Sequence, residues 1–275
     1  MKRLSVILSF ILATAFAGAQ DRQQNYDQLD SLLVSYCEAI AMDSPEEKSS
    51  ECDFMIGSVK DSLTSQHIAL WLYDHYVDSK LMGDEAVAIY LYDNYFSNGK
   101  ISMRGEFDKM AAEIFATFNR RTLLGEYAPV VALYNASGKN EIVPLPGHTS
   151  VMWFYDTHCQ KCMMESNLLP KVLESVDFDI DFVAVYSGTD RKSWDYFRDT
   201  FKVGNSHVHI IHLWDPEIDS DYQRLYGVMS TPRLYLVEPM GTVIGRRLEV
   251  DSLLELFPVA GAIQAVYDRE YTSAE

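Results

Sequence analysis

The second half of this chain alternates between two kinds of apolar pattern, and this alternation restricts its fold more than any other feature. Short apolar runs of strand length are separated by helical segments. A β-hairpin over 130–134 and 141–145 comes first. We then predict strands at 150–155, 178–186, 209–213, 233–237 and 243–247, and helices at 159–176, 192–201, 220–226 and from 251 onward. Such alternation predicts a central sheet with helices on both faces.

Residues 20–124 have a helical pattern instead. In the first segment apolar residues recur at helical spacing until Ser44-Pro45 interrupts them, and three more helical segments follow with few glycines or prolines inside. The many aromatic residues of these segments are expected to pack in a core rather than to bind a ligand. We therefore predict an all-α domain over 20–124, with four or five helices, and an α/β domain over 125–275.

The N-terminal segment 1–19 has the three parts of a secretory signal peptide. Lys2 and Arg3 give a basic start, an apolar run follows, and small residues at 17–19 suit cleavage before Gln20. The apolar run is shorter than the roughly twenty residues needed to span a bilayer. We expect export to the periplasm or cell envelope, where the four cysteines would meet an oxidising environment.

The chain is strongly acidic. Its formal net charge is −17, and loss of the two lysine and arginine charges of the predicted leader would make it −19. A surface of this sign repels nucleic acid and anionic lipid. We expect no nucleic-acid partner and no membrane-spanning segment in the mature chain.

Cys159 and Cys162 form a Cys-x-x-Cys pair at the predicted start of a helix, directly after the apolar run 150–155. Three residues apart on a helix, their sulfur atoms face nearly the same side and can close a small disulfide. The start of a helix also offers unpaired N–H groups and the positive end of the helix dipole, which favour a thiolate. Because the thiolate is the nucleophile in disulfide exchange, this arrangement indicates redox chemistry.

Residues 125–258 resemble the thioredoxin-like proteins of the TlpA/ResA type, which are exported thiol-disulfide oxidoreductases. The resemblance rests on Gly125-x-x-Ala-Pro129 before the hairpin, on the cysteine pair, and on Thr231-Pro232 about seventy residues later, between a short helix and a strand. It implies an α/β thioredoxin fold, a central mixed sheet flanked by helices. The preceding all-α helical domain lies outside the match.

The resemblance also implies roles for five residues. Cys159 would be the exposed nucleophile, and the more buried Cys162 would resolve the mixed disulfide. Glu165 matches the family's glutamate after the cysteine pair and would exchange a proton with Cys162; an ordinary solvent-facing glutamate is the alternative. Pro232 would be in the cis form, and Thr231 would offer backbone groups to a substrate strand.

The motif departs from the family at His158, Gln160 and Lys161. Many relatives carry an aromatic residue before the first cysteine and a proline inside the pair. Lys161 would help the thiolate somewhat, but a histidine inside the pair, which would stabilise it strongly, is missing. We therefore expect a mild reductant rather than an oxidant. His158 is either a proton donor or a solvent-exposed ring.

Zinc and peroxide chemistry are both disfavoured. The sequence has no second Cys-x-x-Cys, and the histidines around His207 and His209 match no common zinc-ligand spacing. Peroxiredoxins need a Thr or Ser three residues before their cysteine and a Pro seven before it, where this chain has Asp156 and Met152. We expect no metal and no other cofactor.

Cys37 and Cys52 lie fifteen residues apart, on either side of the Ser44-Pro45 break. We favour a structural disulfide between them, which would stabilise the domain by roughly 3 kcal/mol. Two buried free thiols, or a pair that exchanges with Cys159, are the alternatives.

These features predict an exported thiol-disulfide oxidoreductase that reduces or exchanges protein disulfides and is recharged by an upstream electron donor. Its partners would be protein disulfide substrates and that donor. The alternative is a non-enzymatic thioredoxin-fold binding module whose helical domain docks a partner protein, with the cysteine pair as a static brace.

Overall fold

The computed structural model of the protein describes residues 19–272. Residues 1–18, which hold nearly all of the predicted signal peptide, lie outside the described residues. Contacts divide the chain into two compact units that meet in sequence between Ala116 and Thr117. The predicted domain boundary near residue 124 stays a prediction.

Five α-helices occupy the described residues 19–119, which confirms the predicted helical domain. Ser44 starts the second helix with a capping box: its Oγ accepts a hydrogen bond from the Glu47 N–H at 3.2 Å, and its own N–H donates to the Glu47 carboxylate at 3.0 Å. The predicted break is therefore the beginning of a new helix. The five helices are α1 Ala19–Ala39, α2 Pro45–Gly57, α3 Ser62–Asp78, α4 Asp84–Leu91 and α5 Glu106–Asn119.

The core of the helical unit contains both of its cysteines. Cys37 on α1 is 3% exposed and Cys52 on α2 is fully buried, and the two are separate free thiols. The structure thus corrects the predicted disulfide between them. Both side chains turn into the apolar core near Tyr76 of α3, where they pack as small apolar groups. Burial raises the pKa of the Cys37 thiol to about 11 and that of Cys52 higher still.

The second unit is built on one mixed sheet, as predicted. Within the described residues it has seven strands in the order β2-β1-β5-β4-β3-β6-β7. The central strands β3, β4 and β5 are parallel, and β6, β7 and the β1–β2 hairpin are antiparallel to their neighbours. The strands are β1 Val131–Tyr134, β2 Asn140–Val143, β3 Thr149–Tyr155, β4 Ile180–Tyr186, β5 Val208–Trp214, β6 Arg233–Val237 and β7 Val243–Arg246.

Successive residues of β3 supply two hydrophobic cores on opposite faces of the sheet. Trp153 packs with residues of α6 (Gln160–Leu173), α7 (Arg191–Thr200) and α9 (Ser252–Tyr267). Phe154 points to the other face, where the short helix α8 (Tyr222–Leu225) packs. Helices pack on both faces of β3 and fix its position. The cysteine pair follows directly after the C-terminal end of this strand. Across residues 19–272, no helix combines the length and the apolar character needed to cross a membrane.

Candidate active site

Strand β3 delivers the cysteine pair to the edge of the sheet. All seven residues of β3 are buried, and the chain then leaves the sheet in a tight turn over 156–159. Asp156 fixes this turn because its carbonyl accepts the Cys159 N–H at 3.1 Å and its Oδ1 accepts the His158 N–H at 2.8 Å. Helix α6 begins at Gln160, so Cys159 is its N-cap residue rather than a member of its first turn.

Cys159 and Cys162 are joined by a disulfide, with their Cα atoms 5.2 Å apart. Cys162 is fully buried, whereas Cys159 is partly exposed. The Cys162 N–H, one of the unpaired donors at the start of α6, points at the Cys159 sulfur from 3.1 Å. A negative charge on that sulfur would be stabilised by this N–H and by the helix dipole, as a nucleophilic thiolate requires.

The Thr231-Pro232 segment lies directly beside the cysteine pair. Strand β6 begins at Arg233, which is paired with Phe154 near the end of β3. This pairing places the Thr231 carbonyl oxygen 3.4 Å from the Cys159 sulfur. The Thr231–Pro232 peptide bond is cis, and Pro232 is buried. Two motifs that are far apart in the sequence therefore form one site.

Glu165 is buried behind the cysteine pair, with only 5% of its surface exposed. Its Oε2 accepts a hydrogen bond from the Trp153 indole N–H at 3.0 Å, and its Oε1 lies 3.8 Å from the Lys161 ammonium. Burial raises the pKa of this carboxyl above its ordinary value, while the Trp153 hydrogen bond and the Lys161 charge act in the opposite direction. Glu165 is therefore not the solvent-facing glutamate that was the alternative.

Lys161 also contacts a residue from the far end of the chain. Its Nζ donates to Glu249 Oε1 at 2.9 Å, and both side chains are more than half exposed. Glu249 lies between β7 and α9, where the chain returns to the edge of the sheet that carries the cysteine pair. The Lys161 ammonium thus lies within 4 Å of two carboxylates, those of Glu165 and Glu249.

Two exposed features lie near the site in the sequence. Met229, 64% exposed, and Ser230 form a lip that directly precedes the Thr231-Pro232 segment. A groove of about 660 Å³ lies between α6 and α7, and its lining includes Thr157, Met163 and the exposed ring of Tyr196.

The three histidines singled out from the sequence each lie beside an aspartate carboxylate. His158 is 73% exposed, and its Nδ1 lies 3.2 Å from the Asp156 carboxylate. His207 and His209 each face an aspartate carboxylate, at 2.7 Å and 3.1 Å. In the part of the chain that the structure describes, no group of three or more His, Cys, Asp or Glu side chains is placed to hold a metal ion.

Comparison with known proteins supports the fold. No protein-family model and no curated protein matches the sequence. The chain is similar to a thioredoxin-like protein from Bacteroides caccae, with 14% identity, a TM-score of 0.64, and coverage of 85% of this chain and 84% of that chain. The protein therefore has a thioredoxin-like fold, as predicted.

Two further solved structures match about half of the chain. One is the thioredoxin domain of a thiol-disulfide oxidoreductase from Bacteroides vulgatus, at 18% identity and a TM-score of 0.42, covering 51% of this chain and 97% of that chain. The other is a thiol-disulfide oxidoreductase from Bacteroides fragilis, at 17% identity and a TM-score of 0.40, covering 48% and 99%. These two scores are too low to bear on fold or activity.

Two residues of the site, Trp153 and Glu249, are not among those predicted from the sequence. Trp153 was assigned only to an apolar strand, although its position on the same strand face as Tyr155 puts its indole under α6. The alternation of side chains along the strand could therefore have placed Trp153 beneath the helix that carries Cys162. Glu249 gave no signal, because 88 positions separate it from Lys161 and it lies in a loop.

Proposed function

We propose that this protein is an exported thiol-disulfide oxidoreductase that reduces or exchanges protein disulfides through Cys159 and Cys162. The observation that carries the proposal is the disulfide at the start of α6, whose partly exposed sulfur lies 3.4 Å from the Thr231 carbonyl oxygen. A nucleophile, a resolving thiol and a backbone acceptor for an incoming chain then occupy one site.

The reaction begins in the reduced protein, where the Cys159 thiolate attacks one sulfur of a substrate disulfide. A bond forms between Cys159 and that sulfur, and the second substrate sulfur leaves as a thiolate that takes a proton from water. Cys162 then gives its proton to Glu165 and attacks the Cys159 sulfur. This breaks the mixed disulfide and releases the remaining substrate thiolate. The substrate has gained two electrons, and the protein is left as the Cys159–Cys162 disulfide, the form in the structure.

Glu165 is the proposed proton acceptor because it is buried three residues beyond Cys162 on the same helix. An ordinary exposed carboxylate is a weak base toward a thiol. Burial raises the pKa of Glu165 and so brings its proton affinity closer to that of a thiol, which improves proton transfer between them.

Thr231 and Pro232 are the proposed contacts for the substrate strand. The Thr231 carbonyl already faces the reactive sulfur, and Pro232 has no N–H that could compete for it. The lip at Met229 gives the substrate an apolar contact beside these backbone groups. Each turnover leaves the pair oxidised, so an upstream electron donor must return two electrons before the next one.

Export and the direction of electron flow belong to the same proposal. The predicted signal peptide supports delivery to the periplasm or cell envelope, where substrate disulfides form. Gln160 and Lys161 between the cysteines favour a mild reductant over an oxidant, because neither stabilises the thiolate as strongly as a histidine there would.

Insulin reduction with dithiothreitol as the donor tests the activity. We expect the wild-type protein to accelerate insulin precipitation and the Cys159→Ser protein to give the uncatalysed rate. Lys171→Gln, an exposed change on the same helix, is the matched control and should keep the wild-type rate. Equal rates for wild type and Cys159→Ser would refute the catalytic proposal and favour the non-enzymatic binding module.

Trapping identifies the substrates. In the Cys162→Ser protein, Cys159 can attack but the mixed disulfide cannot be resolved, so substrates should stay bound until dithiothreitol is added. A double variant that also carries Cys159→Ser should trap nothing. Adducts that form equally in both variants would show that the captured proteins are not substrates of this site.

A further inference from the structure

Lys161, inside the cysteine pair, is shared between two carboxylates. Its Nζ lies 2.9 Å from Glu249 Oε1 and 3.8 Å from Glu165 Oε1. The shorter contact is a hydrogen-bonded ion pair, whereas the longer one is a charge contact beyond hydrogen-bond distance. The cation is therefore held closer to the exposed Glu249 than to the buried Glu165.

The backbone holds Glu249 in this place although it lies in a loop. The preceding residue, Leu248, donates its N–H to the Leu234 carbonyl at 3.0 Å, and the Glu249 carbonyl accepts the Ser252 N–H at 3.0 Å. The next residue, Val250, is only 3% exposed and belongs to the core under α6. The Glu249 side chain is 69% exposed, but it starts from a backbone anchored on both sides.

Few groups balance the charge of Glu165. The Trp153 indole N–H binds one carboxylate oxygen at 3.0 Å. Two charged groups act on Glu165 in opposite directions: Lys161 favours its ionised form, and Glu249 disfavours it. The position of the Lys161 ammonium between the two carboxylates therefore decides how well the Glu165 charge is compensated.

We propose that Glu249 is a positioning residue that draws Lys161 away from Glu165 and so leaves the Glu165 carboxylate only partly neutralised and able to accept a proton. The inference rests on the proposed function, in which the Cys162 sulfur gives its proton to a Glu165 oxygen as it attacks Cys159. No oxidant or reductant beyond the substrate disulfide takes part. If Lys161 closed on Glu165 instead, the carboxylate would be a more stable anion and a weaker base.

A pH titration of the Glu165 carboxyl by carbon-13 NMR tests the proposal, with the Trp153 indole N–H signal as a second probe. The full chain is used in its disulfide form, so no turnover is needed. Glu249→Gln removes one anion and releases Lys161 toward Glu165, and we expect the midpoint of the titration to fall. Lys161→Gln removes the cation, and we expect the midpoint to rise.

A double variant with both Lys161→Gln and Glu249→Gln distinguishes the positioning of Lys161 from direct repulsion between the two carboxylates. In the Lys161→Gln background, Glu249→Gln keeps only its direct effect on Glu165, so its shift should be roughly half or less of that in the wild-type background. Equal shifts in the two backgrounds, or a rise of the midpoint in Glu249→Gln alone, would overturn the proposal. Lys171→Gln and Glu174→Gln, exposed changes on and just after α6, are the matched controls and should leave the midpoint unchanged.

A kinetic measurement ties the titration to the reaction. We expect Glu249→Gln to move the pH profile of mixed-disulfide release from Cys159 in the same direction as the carboxyl midpoint, and to slow release by roughly twofold or more at neutral pH. An unchanged titration would overturn this inference and leave the proposed function standing. A shifted titration with an unchanged release profile would instead overturn the role of Glu165 in the proposed mechanism.

Discussion

Two buried carboxylates, one from each unit, are compensated very differently. Asp84 in the helical unit is 3% exposed, with Oδ1 at 2.6 Å from the Lys48 ammonium and Oδ2 at 2.6 Å from the Ser79 hydroxyl. Glu165 in the thioredoxin-like unit is 5% exposed, but its nearest ammonium is 3.8 Å away on Lys161. Equal burial thus gives a closely paired group in one unit and a loosely paired group in the other.

The cysteines divide in the same way. Cys37 and Cys52 lie in an apolar core and have raised thiol pKa values, so they are protonated and inert. Cys159 is partly exposed at the start of a helix, with a backbone N–H pointing at its sulfur. In this protein, closely paired or fully enclosed polar groups belong to the fold, whereas the incompletely paired groups lie at the site proposed for chemistry.

Alkylation of the reduced native protein should show the largest difference between the units. With a thiol pKa of about 11, only about one Cys37 in 10⁴ is a thiolate at pH 7, and Cys52 is less reactive still. We expect iodoacetamide to modify Cys159 at least about 10³-fold faster than either buried cysteine, as followed by mass spectrometry. In guanidinium chloride all four cysteines should react at similar rates. Comparable rates in the native state would erase the distinction between the two pairs.

Breaking the Lys48–Asp84 pair should give the next largest effect. Lys48→Met leaves a buried carboxylate without its cation, which typically costs about 3–5 kcal/mol. We expect a loss of that size in urea unfolding of the full chain followed by circular dichroism. Lys48→Met combined with Asp84→Leu removes both charges and should recover part of the loss. A single variant as stable as the wild type would mean that the pair is not structural.

The fold could be predicted from the sequence because its helices and strands are long and regular. The strand predicted at 233–237 is found with the same bounds, and the 150–155 strand begins one residue earlier, at Thr149. The period of the apolar residues decides such elements locally. The family resemblance implied only that Thr231 would offer backbone groups to a substrate strand; the antiparallel pairing of β3 with β6 is what brings its carbonyl to the Cys159 sulfur.

Two features could not be predicted correctly because they depend on how distant parts of the chain pack: the state of Cys37 and Cys52, and the partner of Lys161. The spacing of Cys37 and Cys52 allows a disulfide across a helical hairpin, but the sequence does not fix the rotation of α1 against α2. In the structure both thiols turn into the core instead. The Lys161–Glu249 contact was equally invisible, because it depends on where the chain returns after β7.

The next smaller effect is expected at His212. Its titration should lower the free energy of unfolding of the thioredoxin-like unit in acid. Burial, with added repulsion from Arg198 and Lys202, lowers the pKa of this ring to about 4. Between pH 6.5 and 4 the unfolded chain binds a proton that the folded chain does not, so stability falls as pH drops through this window. We expect a loss of about 2 kcal/mol from pH 7 to pH 5 by urea unfolding. His212→Asn should lack this component, and an equal acid loss in that variant would assign it elsewhere.

Glu165→Gln tests the loosely paired carboxylate through the rate of the resolving step. Glutamine keeps an oxygen that can accept the Trp153 indole hydrogen bond, but it cannot take a proton from Cys162. We expect the resolving step to slow by about 10²-fold, the lower end of what a positioned general base contributes, because water or hydroxide must replace the carboxylate as base. The lifetime of a mixed disulfide on Cys159, measured by quenched mass spectrometry, reports this step. An unchanged lifetime would remove Glu165 from the mechanism.

The stability of the same variant decides the comparison between the two carboxylates. The pKa of Glu165 is raised in the folded protein, so the fold favours the protonated form, and the wild type loses stability as pH rises through the range where Glu165 ionises. Glu165→Gln has no such loss and should be the more stable protein at neutral pH, with the advantage shrinking as pH falls. Asp84→Asn should do the opposite, because it leaves the buried Lys48 ammonium without its anion. Changes of the same sign in both variants would mean that close and loose pairing do not separate structure from chemistry in this protein.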